Sequence, residues 1–141
     1  MWKALLVDDE EAIRRLLKAV LEMGDFSVET ASSARSAVEV LRSRSFDAVV
    51  TDLRMETHLA GYDVAQFASR LNPRPFIAIV TAFPVPTPDW RRVGADALFT
   101  KGADTLQLAT RLQKMLEARE SRLANSQAET ESASAIRRGL S

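Results

Sequence analysis

Short apolar runs alternate with stretches of helical periodicity along this chain, and the cycle repeats five times. The first run, Ala4, Leu5, Leu6 and Val7, is too short for a buried helix and stops at acidic residues, so it predicts a strand. Ile13, Leu16, Leu17, Val20 and Leu21 then recur at i, i+3, i+4, i+7 and i+8, one face of a helix ending near Gly24. Phe26, Val28 and Thr30 alternate as a half-buried second strand, and Ala34, Ala37, Val38 and Leu41 form the next helical stripe. Residues 46–51 predict a third strand, followed after Gly61 by a helix with Val64, Phe67, Ala68 and Leu71 on its apolar side. Residues 76–80 are continuously apolar between Pro75 and Pro84, the pattern of a strand buried on both faces. A short helix over 87–93 is entered through Pro84, Pro86 and Pro88 and can end at Gly94. Residues 97–100 predict the last strand, and Leu108, Ala109, Leu112, Met115 and Leu116 the stripe of a final helix.

Strands alternating with helices call for right-handed crossovers, hence a parallel sheet covered by helices on both faces. The expected fold class is α/β, a doubly wound five-stranded parallel sheet. The order 2-1-3-4-5 is taken from a known template of this architecture rather than read from these residues. The 141 residues suffice for one domain with a real core. Residues 1–118 are expected to form it. Residues 119–141 are expected to be a helical extension running into a disordered polar tail, since periodicity fades beyond Arg122 into Asn, Ser, Gln, Glu and Thr.

Nineteen basic side chains balance nineteen acidic ones, which gives no overall drive toward nucleic acid or an anionic membrane. The absence of cysteine removes disulfides, thiolate metal sites and thiol nucleophiles. The first apolar run is cut off by Asp8, Asp9, Glu10 and Glu11, well short of a signal peptide, so a soluble cytoplasmic protein is expected.

In such a sheet, ligands bind beside the carboxyl ends of the strands. Asp8 and Asp9 follow the first strand, Asp52 ends the third, Thr81 follows the fourth and Lys101 the fifth. Crowded carboxylates repel by roughly 1–4 kcal/mol per pair at contact distance, so the cluster asks for a cation. Mg²⁺, which takes oxygen ligands and shares them with phosphate, suits this inventory better than zinc. Asp52 is placed to act as a nucleophile that forms an acyl phosphate. Lys101 and Thr81 could then meet the phosphoryl oxygens.

The sequence resembles the receiver domain of bacterial response regulators, whose fold is flavodoxin-like. The blocks that carry the resemblance are Leu6-Val7-Asp8-Asp9-Glu10, Val49-Val50-Thr51-Asp52-Leu53-Arg54-Met55, Val80-Thr81-Ala82, Gly94-Ala95-Asp96 and Phe99-Thr100-Lys101. They cover about residues 3–118 in family order. The resemblance implies Asp52 as phosphoacceptor, Asp9 as direct Mg²⁺ ligand, Asp8 as an outer one and the Arg54 carbonyl as another. It implies that Lys101 pairs with the phosphoryl group, and that Thr81 and Phe99 act as the switch coupling phosphorylation to a surface change. It further implies a two-component phosphorelay, with a histidine kinase or phosphotransfer protein as donor and a protein as the downstream target.

The chain departs from the family pattern at Glu56 and Gly102, each standing where Pro is common. The loop from Asp52 to Gly61 is one residue longer than usual and the stretch from Thr81 to Lys101 about two shorter, with Pro84, Pro86 and Pro88 inside it. These changes fall on the output side and leave the phosphorylation chemistry in place. An aspartyl-phosphate phosphohydrolase of related topology would want a second acid two residues beyond Asp52, where Arg54 stands. The expected role is therefore a phosphoacceptor and not an enzyme. A pseudo-receiver that binds without taking phosphate is the other alternative, disfavoured by Asp8, Asp9, Asp52, Thr81 and Lys101 all being present. His58 is expected to be an exposed loop residue without a role, and Trp90 and Phe83 are equally compatible with a binding patch or with burial. A homodimer seam along Leu112, Leu116 and Leu123 is the lesser reading of the last helix, interrupted by Arg119.

Overall fold

Successive side chains of a strand point to opposite faces of its sheet, and here each face receives a different apolar set. The computed structural model describes residues 1–82 and 87–139. Its strands are β1 (Trp2–Val7), β2 (Phe26–Ala31), β3 (Ala48–Asp52), β4 (Phe76–Thr81) and β5 (Ala97–Thr100). All neighbouring pairs are parallel, in the order β2-β1-β3-β4-β5 expected from the template of this architecture. The connections carry α1 (Glu11–Met23), α2 (Ala34–Ser43), α3 (Ala60–Ser69) and α4 (Thr87–Arg92), and a 3-10 turn (Thr105–Gln107) leads into α5 (Leu108–Gly139).

On one face Leu6, Val50, Ala78, Val80 and Phe99 pack with Leu17 and Leu21 of α1 and Leu108, Leu112 and Leu116 of α5. On the other, Leu5, Val7, Val49, Ile77 and Ile79 pack with Leu41 of α2, Val64 and Ala68 of α3 and Trp90 of α4. Burial on both sides is why β1, β3 and β4 read as unbroken apolar runs. Trp90 is 8% exposed, so burial is its role.

Three expectations shift. The third strand begins two residues later than 46–51 and takes in Asp52, which pairs in register with Val80. Its entrance is fixed instead by Asp47, whose carboxylate accepts the Lys3 N–H at 2.7 Å and whose own N–H donates to the Lys3 carbonyl at 2.8 Å. Leu16 lies at the edge of the α1 stripe and stays 49% exposed. Beyond residue 119 the chain continues as helix to Gly139, where a disordered tail is expected from composition. The segment is rich in Ala, Glu and Arg, strong helix formers that need no buried face to continue a helix already nucleated on the core. Leu112 and Leu116 are taken up by the domain's own core, while Leu123 is 60% exposed. Phe83, Pro84, Val85 and Pro86 lie outside the described residues, and with them the proline-bearing entry expected before the short helix.

Candidate functional site

The parallel order brings four strand ends to one edge of the sheet. Asp8 and Asp9 follow β1, Asp52 closes β3, Thr81 closes β4 and Lys101 follows β5. The Lys101 N–H donates to the Thr81 carbonyl at 2.9 Å, which continues the β4–β5 ladder one step and fixes where the lysine leaves the sheet. Gly102 turns the chain there with a φ of 87°, in the left-handed region that glycine tolerates.

Carboxylate oxygens of Asp8, Asp9 and Asp52 lie within 4.8 Å of one another. Asp8 is 1% exposed and Asp52 7%, whereas Asp9 is open to solvent. One oxygen of each buried acid is held by backbone: Asp8 Oδ1 accepts from the Glu10 N–H and Asp52 Oδ1 from the Leu53 N–H, both at 2.9 Å. The other oxygens face the Lys101 ammonium, at 2.9 Å for Asp8 Oδ2 and 3.2 Å for Asp52 Oδ2. Lys101 is the one partner seen for that buried Asp8 oxygen among the described residues, and it shares its ammonium with Asp52. Arg14 donates to the Asp8 carbonyl at 2.8 Å and ties the loop to α1.

Burial is the largest influence on Asp52 and raises its carboxyl above the ordinary value; Lys101 pulls it down and Asp8 pushes it up again. For Lys101, burial acts against the charged form, but Asp8 and Asp52 outweigh it and raise the ammonium above its ordinary value. One ammonium among three carboxylates leaves the site short of positive charge. With three carboxylates offering only oxygen donors and one shared ammonium to offset them, these residues fit a hard divalent cation such as Mg²⁺.

Thr81 is 2% exposed at the same edge, and Arg54, exposed, stands two residues beyond Asp52 on the loop into α3. Phe99 does not join them. It pairs with Val80, one position before Thr81, and is 1% exposed on the α1–α5 face under the Arg111 guanidinium, 4.7 Å from its ring. Alternation puts Thr81 on the opposite face, the one that carries Ile77 and Ile79. The two residues expected to act as the switch thus lie on opposite faces of the sheet, and the β5 side chain sharing the Thr81 face is Leu98, half-buried and aliphatic.

Glu56 is the other residue the sequence reading passes over, noting it only as a missing proline. Its carboxylate accepts from the backbone N–H of Ala34 at 3.0 Å and of Arg35 at 3.4 Å. Burial works against its charge, yet the amides of Ala34, of Glu56 itself and of Arg35 prevail and hold the carboxyl below its ordinary value. His58 is exposed, as expected. The apolar groove formed by Trp2, Phe46, Pro73, Leu116 and Leu123 opens at the other edge of the sheet, away from the acidic cluster.

The family model for the response regulator receiver domain matches residues 4–113, and the chain belongs to that family. It is 36% identical over 120 residues to the alginate biosynthesis transcriptional regulatory protein AlgB of Pseudomonas aeruginosa, covering 84% of this chain and 26% of that protein. It is 35% identical over 81 residues to the response regulator protein PilR of the same organism, covering 57% and 18%. To the probable transcriptional regulator ycf27 of Cyanidium caldarium it is 30% identical over 113 residues, covering 79% and 45%. The chain thus spans less than half the length of these curated relatives. Among solved structures, a CheY-like receiver domain from Methanospirillum hungatei superposes with a TM-score of 0.78 at 23% identity, covering 86% of this chain and 98% of that one. The activated DrrB receiver domain gives 0.71 at 22% identity, covering 83% and 98%. These likenesses bear on the fold. Among the described residues no helix is long and apolar enough to cross a membrane.

Proposed function

We propose that this receiver domain takes a phosphoryl group on Asp52 from a histidine kinase or a phosphotransfer protein and passes the change on through a protein contact. The observation that carries the reading is the cluster of Asp8, Asp9 and Asp52 within 4.8 Å, bridged on one side by Lys101. An Asp52 oxygen forms the new bond to phosphorus while the donor's phosphorus–nitrogen bond breaks, its electron pair leaving with an imidazole that takes a proton from solvent. Mg²⁺, held by Asp8, Asp9, Asp52 and the Arg54 carbonyl, would offset charge on the phosphoryl oxygens. Lys101, 3.2 Å from Asp52 Oδ2, would pair with those oxygens once Asp52 carries the phosphoryl group, and the Thr81 hydroxyl would donate to one of them.

The chain acts as phosphoacceptor and not as a turnover enzyme, because no second acid stands at Arg54 to serve as acid and base. Residues 1–118 are the working unit, and α5 continues beyond them as a helical extension to Gly139. No direct nucleic-acid or membrane contact is part of this reading, and the balanced charge gives none a long-range pull. Incubation with acetyl phosphate and Mg²⁺ followed by intact-mass measurement tests it. One added phosphoryl group on the wild-type chain and none on Asp52→Asn is the expected result; equal labelling of both rejects the assignment.

A further inference from the structure

The β2–α2 junction touches both loops that carry the acidic edge. On one side the Asp8 N–H donates to the Ala31 carbonyl at 3.1 Å, which ties the loop after β1 to the end of β2. Three residues on, α2 begins, and its first amides are unpaired within the helix, as in any α-helix. Ser33 caps the helix by accepting from the Ser36 N–H at 3.0 Å, while Ser36 Oγ accepts from the Ser33 N–H at 3.2 Å. That box leaves the amides of Ala34 and Arg35, and both are taken by Glu56, twenty-two and twenty-one residues away in sequence.

Glu56 stands at the tip of the 53–59 loop. The base of that loop is closed by the Gly61 N–H donating to the Leu53 carbonyl at 2.9 Å, and its middle by the Met55 N–H donating to the Thr57 carbonyl at 3.0 Å. The bonds from Glu56 to α2 tie this local fold to a second element. The loops after β1 and β3 are thus held to each other through one short turn, residues 31–35.

We propose that Glu56 is a positioning residue of the cation site: by gripping the start of α2 it fixes the 53–59 loop, and so the Arg54 carbonyl, against the Asp8 and Asp9 loop. This rests on the reading of the acidic cluster as a Mg²⁺ site. Outer groups that orient metal ligands typically change affinity by 10–100-fold when removed. A link through an exposed loop carboxylate belongs at the lower end of that range, about tenfold.

The partner in this link is backbone, and it too can be removed. Ala34 is the first residue of α2, where proline is accommodated because its missing N–H is one the helix does not use. Ser33 has φ −155° and ψ 163°, the extended conformation that a residue before proline favours. Ala34→Pro therefore deletes one of the two donors to Glu56 and leaves the helix its start.

Mg²⁺ binding by calorimetry and thermal melting should be measured for the wild type, Glu56→Ala, Ala34→Pro, the double variant, Ser33→Ala and Asp9→Ala, with amide exchange in the metal-free chain read at residues 34 and 35, or at 35 alone in the two variants with proline at 34. Glu56→Ala should weaken Mg²⁺ about tenfold and speed exchange of the Ala34 and Arg35 amides. Ala34→Pro should weaken Mg²⁺ too, and the double variant should fall short of the sum, as coupled sites do. Ser33→Ala, which removes the cap without touching Glu56, should lower the melting temperature and leave Mg²⁺ affinity unchanged. If Glu56→Ala lowers melting alone, Glu56 is only a helix cap and the inference is overturned. If Asp9→Ala binds Mg²⁺ like the wild type, the cation-site reading falls and this inference with it.

Discussion

The Gly61 N–H donates to the carbonyl of Leu53 at 2.9 Å, so the first turn of α3 lies directly on the residue that follows Asp52. A Cβ at position 61 would run into the Asp52 carbonyl and stand 2.7 Å from Leu53 Cα, both of them backbone that cannot rotate away. Gly61→Ala should therefore push α3 off the site and destabilise the fold by about 1–3 kcal/mol, the usual range for overpacking. A lower urea midpoint together with a lower yield of acetyl-phosphate labelling is expected. An unchanged midpoint would show that the helix start can yield without strain.

Asp52 should make stability depend on pH in the metal-free chain. Its carboxyl, raised chiefly by burial, binds its proton more tightly in the fold than in the open chain, where the ordinary value is 3.8. Such a group favours the fold fully below that ordinary value and loses the advantage as pH rises through the higher, folded value. Asp52→Asn removes the titration. The variant should melt above the wild type at neutral pH without metal, and the gap should shrink as pH falls toward 4. A gap that stays constant across that range would mean that the carboxylate is not the source.

Asp9 is the one open acid of the cluster, so its removal tests the site without disturbing the core. Asp9→Ala should leave the melting temperature of the metal-free chain within the range of ordinary surface changes, about 0.5 kcal/mol. Mg²⁺ affinity should drop by at least about tenfold, and phosphoryl uptake with it, since the same ligand offsets charge on the incoming group. Unaltered Mg²⁺ affinity would place the cation elsewhere.

Phe99 belongs to the core face under α5, so its variants should read as packing changes. Phe99→Ala should destabilise by about 3–5 kcal/mol. Phe99→Leu, milder, should lower the urea midpoint while the folded chain still takes one phosphoryl group and shows the same exchange changes in the loops around Asp52. If Phe99→Leu abolished those changes at full stability, the ring would be part of the switch after all.

The strands and helices are legible in the sequence because their apolar periods differ, 2 for a half-buried strand and 3.6 for a helix. The acidic edge is legible for a related reason: Asp8, Asp52, Thr81 and Lys101 each interrupt or follow an apolar run at a strand end. Register is not legible in that way. Phe99 and Leu98 are neighbours in an apolar string, and only the pairing of Val80 with Phe99 decides which of them faces Thr81. Glu56 is hidden for another reason, since its partners are the main-chain amides of Ala34 and Arg35 and leave no side-chain signature in the sequence. The helix beyond residue 119 shows that a polar composition without an apolar stripe does not separate a solvated helix from coil.

Phosphorylation should be felt in the loops around Asp52 before it reaches α4. Trp90 holds α4 to the sheet: it is 8% exposed, in the same cluster as Leu5, Val64 and Ile77, with the Arg91 guanidinium 5.0 Å from its ring. Displacing α4 would bring this ring into water, and a fully buried large side chain resists exposure by roughly 1.5–3 kcal/mol. A phosphoryl group shifts a conformational equilibrium only by its differential affinity for the two states, so the segments it contacts should respond before a helix pinned in this way. With the phosphoryl mimic beryllium fluoride and Mg²⁺, amide protection should rise in the loop from Asp52 to Gly61 and at Thr81 and Ala82. Residues 87–93 should change little, and Trp90 emission should keep its wavelength. Strong exchange changes throughout 87–93 with none near Asp52, or a red shift on Trp90 in a Trp2→Phe background, would show that α4 itself moves and that the anchor does not hold.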